Sequence, residues 1–434
     1  MVLTVFLMLL KKAVLRAAFL VSVSSIFFNF VANAEAQVEM LPDQELVRVR
    51  LDHGLSQVEI RGHGLQVQGE SKVAQPVSLP HGEEEILTIT RLSTKGQWLW
   101  KVVIQRPGSR NEIDTRLIGY PFLTVNGNSI HRGAQPLPNH LLFSGEKTFS
   151  LIAGERLRDY LYGVVAKEMP ISWPLEALKA QAIAARSYAK AMMREHENRP
   201  YQLESSVLDQ VYENFGDKNL HDPKMQKVIR AVSETSGMVL LDKKHQVVKA
   251  YYHADCGGKT SSSQAVFGTK GLVGGAIDSS CPANPKARWN FRISRDELSK
   301  RLKRFFHASE EFLGVNSLKV RVLPQDERIE EVVVKIEDGE SRTIKAQEFR
   351  NMLGYQELRS TRFQIHQTED EFVFSGTGFG HGVGLCQWGT RAMANQGAQS
   401  HQILSHYYPG LELKAPKDFY SEKSNGDQNE YMFD

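Results

Sequence analysis

Leu157, Leu161, Val164 and Glu168 recur in steps of four, three and four, the spacing that lines up side chains on one face of an α-helix. Three of the four are apolar, so the stripe faces a core, and its last member carries a carboxyl group into partly desolvated surroundings. Pro170 ends the helix just after it, which sets Glu168 at the helix C-terminus, the negative pole of the dipole. Burial and the dipole both penalise the ionised form and raise the carboxyl pKa. A carboxyl that keeps its proton near neutral pH is what cleavage of a glycosidic bond needs. The bland alternative is a helix-end Glu paired with Lys167 or Arg186 for structure alone.

A second group of residues lies in Gly378-Phe379-Gly380-His381-Gly382-Val383-Gly384. This is not a dinucleotide fingerprint: Val383 stands where the third glycine should be, and no Rossmann unit surrounds it. Two uses remain, close backbone approach to a ligand or a tight strand-to-helix connection. Gly258-Lys259-Thr260 is no phosphate loop either, because His253 occupies the place of the first glycine. Cys256 and Cys281 can pair as a disulfide, stabilising by roughly 3 kcal/mol, or join His253 in a metal site. The spacing matches no standard zinc knuckle, so the disulfide is expected, with no cofactor. Zinc is the alternative, and Cys386 is then a leftover buried thiol.

The elements that must position these residues follow from periodicity. From Glu35 to about Thr148 the pattern is mostly period two, as in Leu46–Leu51, Val58–Ile60, Ile86–Ile89 and Trp98–Ile104, with Gly, Pro and Asn between the runs. A β-rich region is expected there. The texture turns helical near Leu151. A second helix starts at Pro174, a good first-turn residue, and buries Leu175, Leu178, Ala182, Ala185, Ala189 and Met192. Its many alanines let another element approach closely. Strands return at Val247–His253, at the pair Leu318–Val322 and Glu331–Ile336, and at Phe372–Phe374, which leads into the glycine loop and a short helix from Gln387 to Asn395. The fold class expected is α+β.

Composition bounds the partners. The 434 residues carry 53 Lys+Arg against 50 Asp+Glu, a formal charge of +3, with no long basic run, so nucleic acid is not an expected partner. Hydrophobic residues at 41% and charged residues at 24% are ordinary globular values. Lys11, Lys12 and Arg16 precede an apolar run from Ala17 to Val31, and Ala32-Asn33-Ala34 has the small-x-small pattern of a processing site. Residues 1–34 therefore read as a signal peptide cleaved after Ala34, with Met8 a plausible true start. A retained membrane anchor is the other reading. The division expected is a leader (1–34), a β-rich region (35–148), a mixed helix/strand domain (149–415) and a polar, disordered tail (416–434). Export makes the periplasm or cell envelope the compartment and favours oxidised cysteines.

Several motifs then occur in order. Leu157 to Pro170, Trp173 to Ala182, Ala185-Arg186-Ser187-Tyr188-Ala189, Asp209-Gln210-Val211-Tyr212, Tyr252 to Gly258, Gly378 to Gly384 with Gln387-Trp388-Gly389, and His406 to Gly410 together resemble the SpoIID/LytB family. The resemblance spans about Leu151 to Leu413. It implies a peptidoglycan lytic transglycosylase whose catalytic glutamate maps to Glu168 and whose glycan groove includes Arg186. The family's other named member, an enhancer of a wall amidase, implies as an alternative a non-catalytic glycan-binding role with an amidase as partner. Departures are Glu213-Asn214 where the family has glycine after the Asp209–Tyr212 block, and Cys386 at a position often held by Ser.

The expected chemistry needs one visible acid. Ordinary glycosidases use two carboxylates, whereas a lytic transglycosylase uses the 6-hydroxyl of the muramic acid itself, already tethered, as nucleophile. Arg186, Gln387 and the loop Gly380, His381 and Gly382 are the expected contacts to sugar acetamides and hydroxyls, and Tyr212 or Trp388 the expected stacking face. Asp209 and Asp255 are the motif-borne carboxylates available if the reaction were a hydrolysis.

Overall fold

The period-two runs of the first third do form strands. β1 (Leu46–Leu55), β2 (Gln57–Gly69), β3 (Val77–Ser78), β4 (Glu84–Thr94), β5 (Gln97–Gln105), β6 (Glu112–Ile118), β7 (Phe122–Arg132), β8 (Gln135–Pro136), β9 (His140–Gly145), β10 (Phe149–Arg156) and β11 (Leu203–Glu204) make one sheet. Its order is β11-β1-β10-β9-β7-β2-β4-β5-β6, with β3 on β2 and β8 on β7; only β1–β11 is parallel. The computed structural model describes residues 42–69, 77–78, 84–109, 112–119, 121–216, 222–278, 284–307, 312–337 and 339–415. The expected leader with its processing site after Ala34, the expected tail 416–434 and Cys281 lie outside the described residues.

Alternation decides which face each strand buries. Ile60, Ile89, Val102, Val125 and Leu141 turn inward around Trp100, whose ring meets Phe149 edge-on at 5.3 Å. At the other end of the sheet Val47, Val49 and Ala153 turn to a second core made with the helices. The division expected at residue 149 falls between β9 and β10, which pair in register from Phe149↔Gly145 to Gly154↔His140. Sheet and helices share that second core.

Strand β10 runs straight into α1 (Leu157–Glu168), and α2 (Leu175–Glu195) follows after a corner of Pro170, Trp173 and Pro174 in which Trp173 N–H bonds Pro170 O at 3.0 Å. Pro174 is the capping residue and Leu175 the first helical one, a place later than expected. Ala177, Ala180, Ala182, Ala184, Ala185 and Ala189 are all fully buried, and this slim face is where α1, α3 (Pro223–Ser233) and the later helices approach.

The strand expected at Val247–His253 is mostly absent. Val247 bridges Leu241, then Tyr251 N–H turns back to Lys249 O, and only Tyr252–His253 pairs, parallel to Leu385–Cys386. Beyond it come α4 (Ser263–Phe267) and a third core. There the antiparallel strands 288–294, 371–377 and 363–367 and the hairpin 315–323/328–336 with strand 341–345 pack against α5 (Arg295–Phe305) and α6 (Ala346–Leu353). The glycine loop then leads into α7 (Gln387–Asn395) and α8 (Ser400–Tyr407), which return to α2. The protein is α+β, β-rich first and mixed afterwards. Among the described residues no helix is long and apolar enough to cross a membrane.

Candidate active site

Glu168 is the last residue of α1, and Met169 N–H closes the helix on Val165 O at 3.1 Å before Pro170. Part of its surface stays open, but the carboxyl is enclosed by donors. Its Oε1 accepts from Val211 N at 2.8 Å, and its Oε2 from Gln387 Nε2 at 3.4 Å. The Tyr252 hydroxyl is a third donor. Among the described residues Glu168 makes no ion pair. Lys167 pairs with Glu213 instead, at 2.6 Å, so the structural pairing considered from sequence does not form. Burial is the largest influence and pushes the Glu168 carboxyl up to about 6, against the pull of Val211, Gln387 and Tyr252.

The donors are themselves held. Gln210, fully buried, donates through Nε2 to the Tyr252 hydroxyl (3.0 Å) and Ala185 O (3.3 Å) and accepts from the Tyr160 hydroxyl (3.0 Å). Gln387 lies 3.5 Å from Gln181 Oε1 as well. Trp388, next along, is half-buried. It meets Trp173 edge-on at 5.3 Å, and the Arg391 guanidinium lies over both rings at 5.0 and 5.4 Å. Trp173 sits in the corner after Glu168, so this aromatic–cation group belongs to the same end of α1.

The expected sugar contacts separate into two sets. Gln387 and Trp388 gather at Glu168. Arg186 does not: it is fully buried, its guanidinium donating to Val232 O (3.2 Å), Met238 O (3.4 Å), Thr235 Oγ1 and Ala182 O (both 3.5 Å). The family resemblance implied a groove position for Arg186; here it satisfies the orphan carbonyl of Val232 at the end of α3 and that of Met238 beyond it. Tyr212 is also buried, its ring 5.0 Å from Tyr160 and its hydroxyl donating to Glu155 Oε2 at 3.3 Å, so it offers no sugar platform.

The glycine loop is a tight connection against buried polar groups. At Gly382 (φ +82°) a Cβ would stand 2.1 Å from the Arg328 guanidinium carbon. Gly380 (φ +112°) packs on His253. His381 Nδ1 accepts from Val383 N at 3.0 Å, and its ring is stacked edgewise among Tyr251, His253 and Phe267. Burial, then His253 and two arginines, hold the His381 imidazole well below its usual pKa, so it stays neutral. Asp209 spends both oxygens on the Tyr188 hydroxyl (2.7 Å) and Glu204 N (2.9 Å), and Asp255 on Gly257 N (2.7 Å) and Asn284 Nδ2 (2.6 Å).

Sequence reasoning missed Glu155. It stands at the end of β10, two residues before α1, bordering a cavity of about 990 Å³ that Asp159, Gly163 and Asn214 also line. Burial first, then the Asp159 carboxylate, push its carboxyl up to about 7. Only the strand-to-helix junction after Gly154 marked the place, and periodicity gives such a residue no face. Tyr252 and Gln181 were also missed, as buried polar residues in apolar runs.

An α+β chain with a buried, donor-held glutamate at a helix end thus has three cores and one candidate acid among its motifs. The family described as SpoIID, Stage II sporulation protein, matches residues 146–241, and a domain of unknown function (DUF8618) matches 276–384. An uncharacterised protein of Brachyspira hyodysenteriae (strain ATCC 49526 / WA1) is 30% identical over 316 residues, 72% of this chain and 81% of that one. Stage II sporulation protein D of Bacillus subtilis (strain 168) is 28% identical over 279 residues, 61% of this chain and 76% of that one. The amidase enhancer of Bacillus subtilis (strain 168) is 27% identical over 298 residues, 58% of this chain but 40% of that one. The chain belongs to the SpoIID/LytB family.

Proposed function

We propose that this protein acts in the cell envelope as a peptidoglycan lytic transglycosylase, cutting the MurNAc–GlcNAc bond and leaving 1,6-anhydroMurNAc ends, with Glu168 as acid and base. The observation that carries this reading is the Glu168 carboxyl itself: enclosed, free of any ion pair among the described residues, and pushed up to about 6. Such a group is protonated in a useful fraction near neutral pH and is a competent base once it has given the proton away.

The hydrogen bonds divide the labour between its oxygens. Oε1 is held firmly by Val211 N at 2.8 Å, whereas Gln387 reaches Oε2 at the longer distance of 3.4 Å. Oε2 is therefore the oxygen that carries the proton to the glycosidic oxygen. As the bond to the anomeric carbon breaks, the ionised carboxylate gains from all three donors. It then takes the proton from the muramic 6-hydroxyl as that oxygen closes on the anomeric carbon, and the acid is restored. Proximity of the tethered hydroxyl replaces a second catalyst, in keeping with the engaged oxygens of Asp209 and Asp255. Trp388, with Arg391 over its ring, is the face for a sugar ring.

The experiment is digestion of sacculi in heavy-oxygen water, with the products weighed. The reading requires 1,6-anhydro ends without label. Labelled reducing ends would make the enzyme a hydrolase and end the transglycosylase assignment. Similarity to an amidase enhancer favours one further reading, a glycan-binding role beside a wall amidase. Stimulation of an added amidase by a Glu168→Gln protein as strong as by the wild type, with no anhydro product from either, would select it.

A further inference from the structure

We propose that His253, Cys256 and Cys386 form a metal site that takes a zinc-type divalent cation and pins the two strands that carry the donors to Glu168. The ligand atoms of these three buried residues all lie within 4.8 Å of one another. A tetrahedral zinc with bonds of about 2.3 Å to sulfur and about 2.0 Å to nitrogen sets its ligands roughly 3.5–3.8 Å apart. Closing the cluster onto a cation thus takes a contraction of about an ångström.

Three features of the surroundings suit bound thiolates. Both sulfurs accept backbone N–H groups: Cys256 Sγ from Gly258 N at 3.3 Å, Cys386 Sγ from Cys256 N at 3.3 Å and from Gly389 N at 3.5 Å. Cys386 is the N-cap of α7, so its sulfur faces the positive end of a helix. The buried guanidinium of Arg328 lies within electrostatic reach of both cysteines and donates to Cys256 O at 2.6 Å. The imidazole is aimed by the bond of His253 Nδ1 to Val383 O at 3.1 Å, the backbone-carbonyl contact that leaves Nε2 as the metal-binding nitrogen. Asp278, whose Oδ2 lies 3.8 Å from Cys256 Sγ and accepts the Tyr407 hydroxyl at 2.7 Å, borders the cluster on the Cys256 side.

Binding replaces two thiol protons, Zn²⁺ displacing two H⁺ as two Zn–S bonds form, with no change of oxidation state. The three ligands are buried, and the role assigned to the cation is structural. Its place gives that role a consequence: Tyr252 precedes His253, Gln387 follows Cys386, and the two short strands pair as Tyr252↔Leu385 and His253↔Cys386. A cation here fixes the spacing of two of the three donors that surround Glu168. This assignment competes with the Cys256–Cys281 disulfide expected from sequence, since Cys256 cannot serve both.

The test uses the full chain, purified reduced and stripped with chelator, then titrated with zinc against a chromophoric chelator and separately with cobalt(II). The expected result is one zinc per chain, and a cobalt spectrum with thiolate charge-transfer bands beside the ligand-field bands of a tetrahedral centre. Cys386→Ser should weaken zinc binding by about 100-fold or more, while Cys281→Ser leaves it unchanged. No zinc uptake by the folded wild type, a cobalt spectrum without thiolate bands, or unaltered binding by Cys386→Ser would overturn the site. So would an exported protein whose intact mass is two hydrogens short and metal-free. The wild-type measurements stand even where Cys386→Ser does not fold, and none depends on lytic activity.

Discussion

Glu155 and Glu168 flank one helix, and burial is the largest influence on both, pushing one carboxyl up to about 7 and the other to about 6. The loop after Asp209 touches both: Val211 N bonds Glu168, while the Tyr212 hydroxyl and Asn214 Nδ2 bond Glu155. Their settings otherwise diverge. Glu155 has a like charge beside it in Asp159 and borders the 990 Å³ cavity. Glu168 has no neighbouring charge among its influences, sits beside a half-open tryptophan, and is ringed by donors that strengthen once it ionises. A raised pKa and a large cavity therefore do not by themselves mark the catalytic acid. The arrangement of donors that reward ionisation during the reaction is the discriminating feature. The twelve residues of α1, about 18 Å of helix at 1.5 Å each, run from two places after Glu155 to Glu168 itself. Among the described residues no contact joins the two carboxyls and each has its own donors, so the two glutamates are treated as rivals and not as a nucleophile–acid pair.

The sharpest way to break this comparison is to neutralise each in turn. Glu168→Gln should lower muropeptide release from sacculi by ~10²–10⁴-fold or more, because an amide keeps the shape but gives no proton. Glu155→Gln should stay within a few-fold of wild type in the same assay. The reverse pattern would move the active site to the large cavity.

Stability should separate the two in the opposite order. Both carboxyls are raised in the folded state, so their favourable contribution is complete below the usual value of 4.5 and is lost as pH rises through about 7 for Glu155 and about 6 for Glu168. At pH 8 each ionised carboxylate opposes folding, and a neutral glutamine relieves that. Taking about 1.4 kcal/mol per unit, Glu155→Gln should stabilise by about 3 kcal/mol and Glu168→Gln by about 2. Both gains should vanish at pH 4 in denaturant unfolding. Equal stability of the two variants at both pH values would show that burial is not what raises these groups.

The Gln387 amide sharpens the picture further. It is one of the influences lowering the Glu168 pKa. The rate constant kcat/KM should fall above pH about 6 as the acid ionises. Gln387→Ala should shift that limb upward by a fraction of a unit and cost at most about tenfold in rate, whereas Glu155→Gln should leave the limb in place. A downward shift in Gln387→Ala would mean that the amide does not favour the ionised acid.

Much of this was readable from the chain alone, for definite reasons. Strand alternation in Leu46–Leu51 and Trp98–Ile104 and the helical stripe ending at Glu168 depend on local periodicity, which sequence states directly. The run Val247–His253 misled because hydrophobicity cannot show the turn from Tyr251 N to Lys249 O. Arg186 misled because its groove position was carried over from the family resemblance, while in the structure the carbonyls of Val232, at the end of α3, and Met238 take it inside. Glu155 and the approach of Cys256 to Cys386 rest on contacts between residues far apart in the chain, 130 positions for the two cysteines, and no window of sequence contains them.

The smallest expected effect tests the two aromatic residues that sequence treated as interchangeable. Trp388 belongs to the Glu168 end and is half-buried with Arg391 over its ring; Tyr212 belongs to the Glu155 end and is buried against Tyr160. Stacking of a ring on a sugar is worth ~0.5–1.5 kcal/mol, so Trp388→Ala should raise KM by ~2–10-fold with kcat nearly unchanged, since the ring grips substrate and transition state alike. Tyr212→Phe removes only the hydroxyl that donates to Glu155. It should leave KM alone and lower stability by about 1 kcal/mol, read by denaturant unfolding. A KM effect from Tyr212→Phe and none from Trp388→Ala would place the sugar at the Glu155 end of the helix. The assignment of Glu168 would then fail even with its own variant inactive, because a dead Glu168→Gln would report a damaged Val211 contact and not a missing acid.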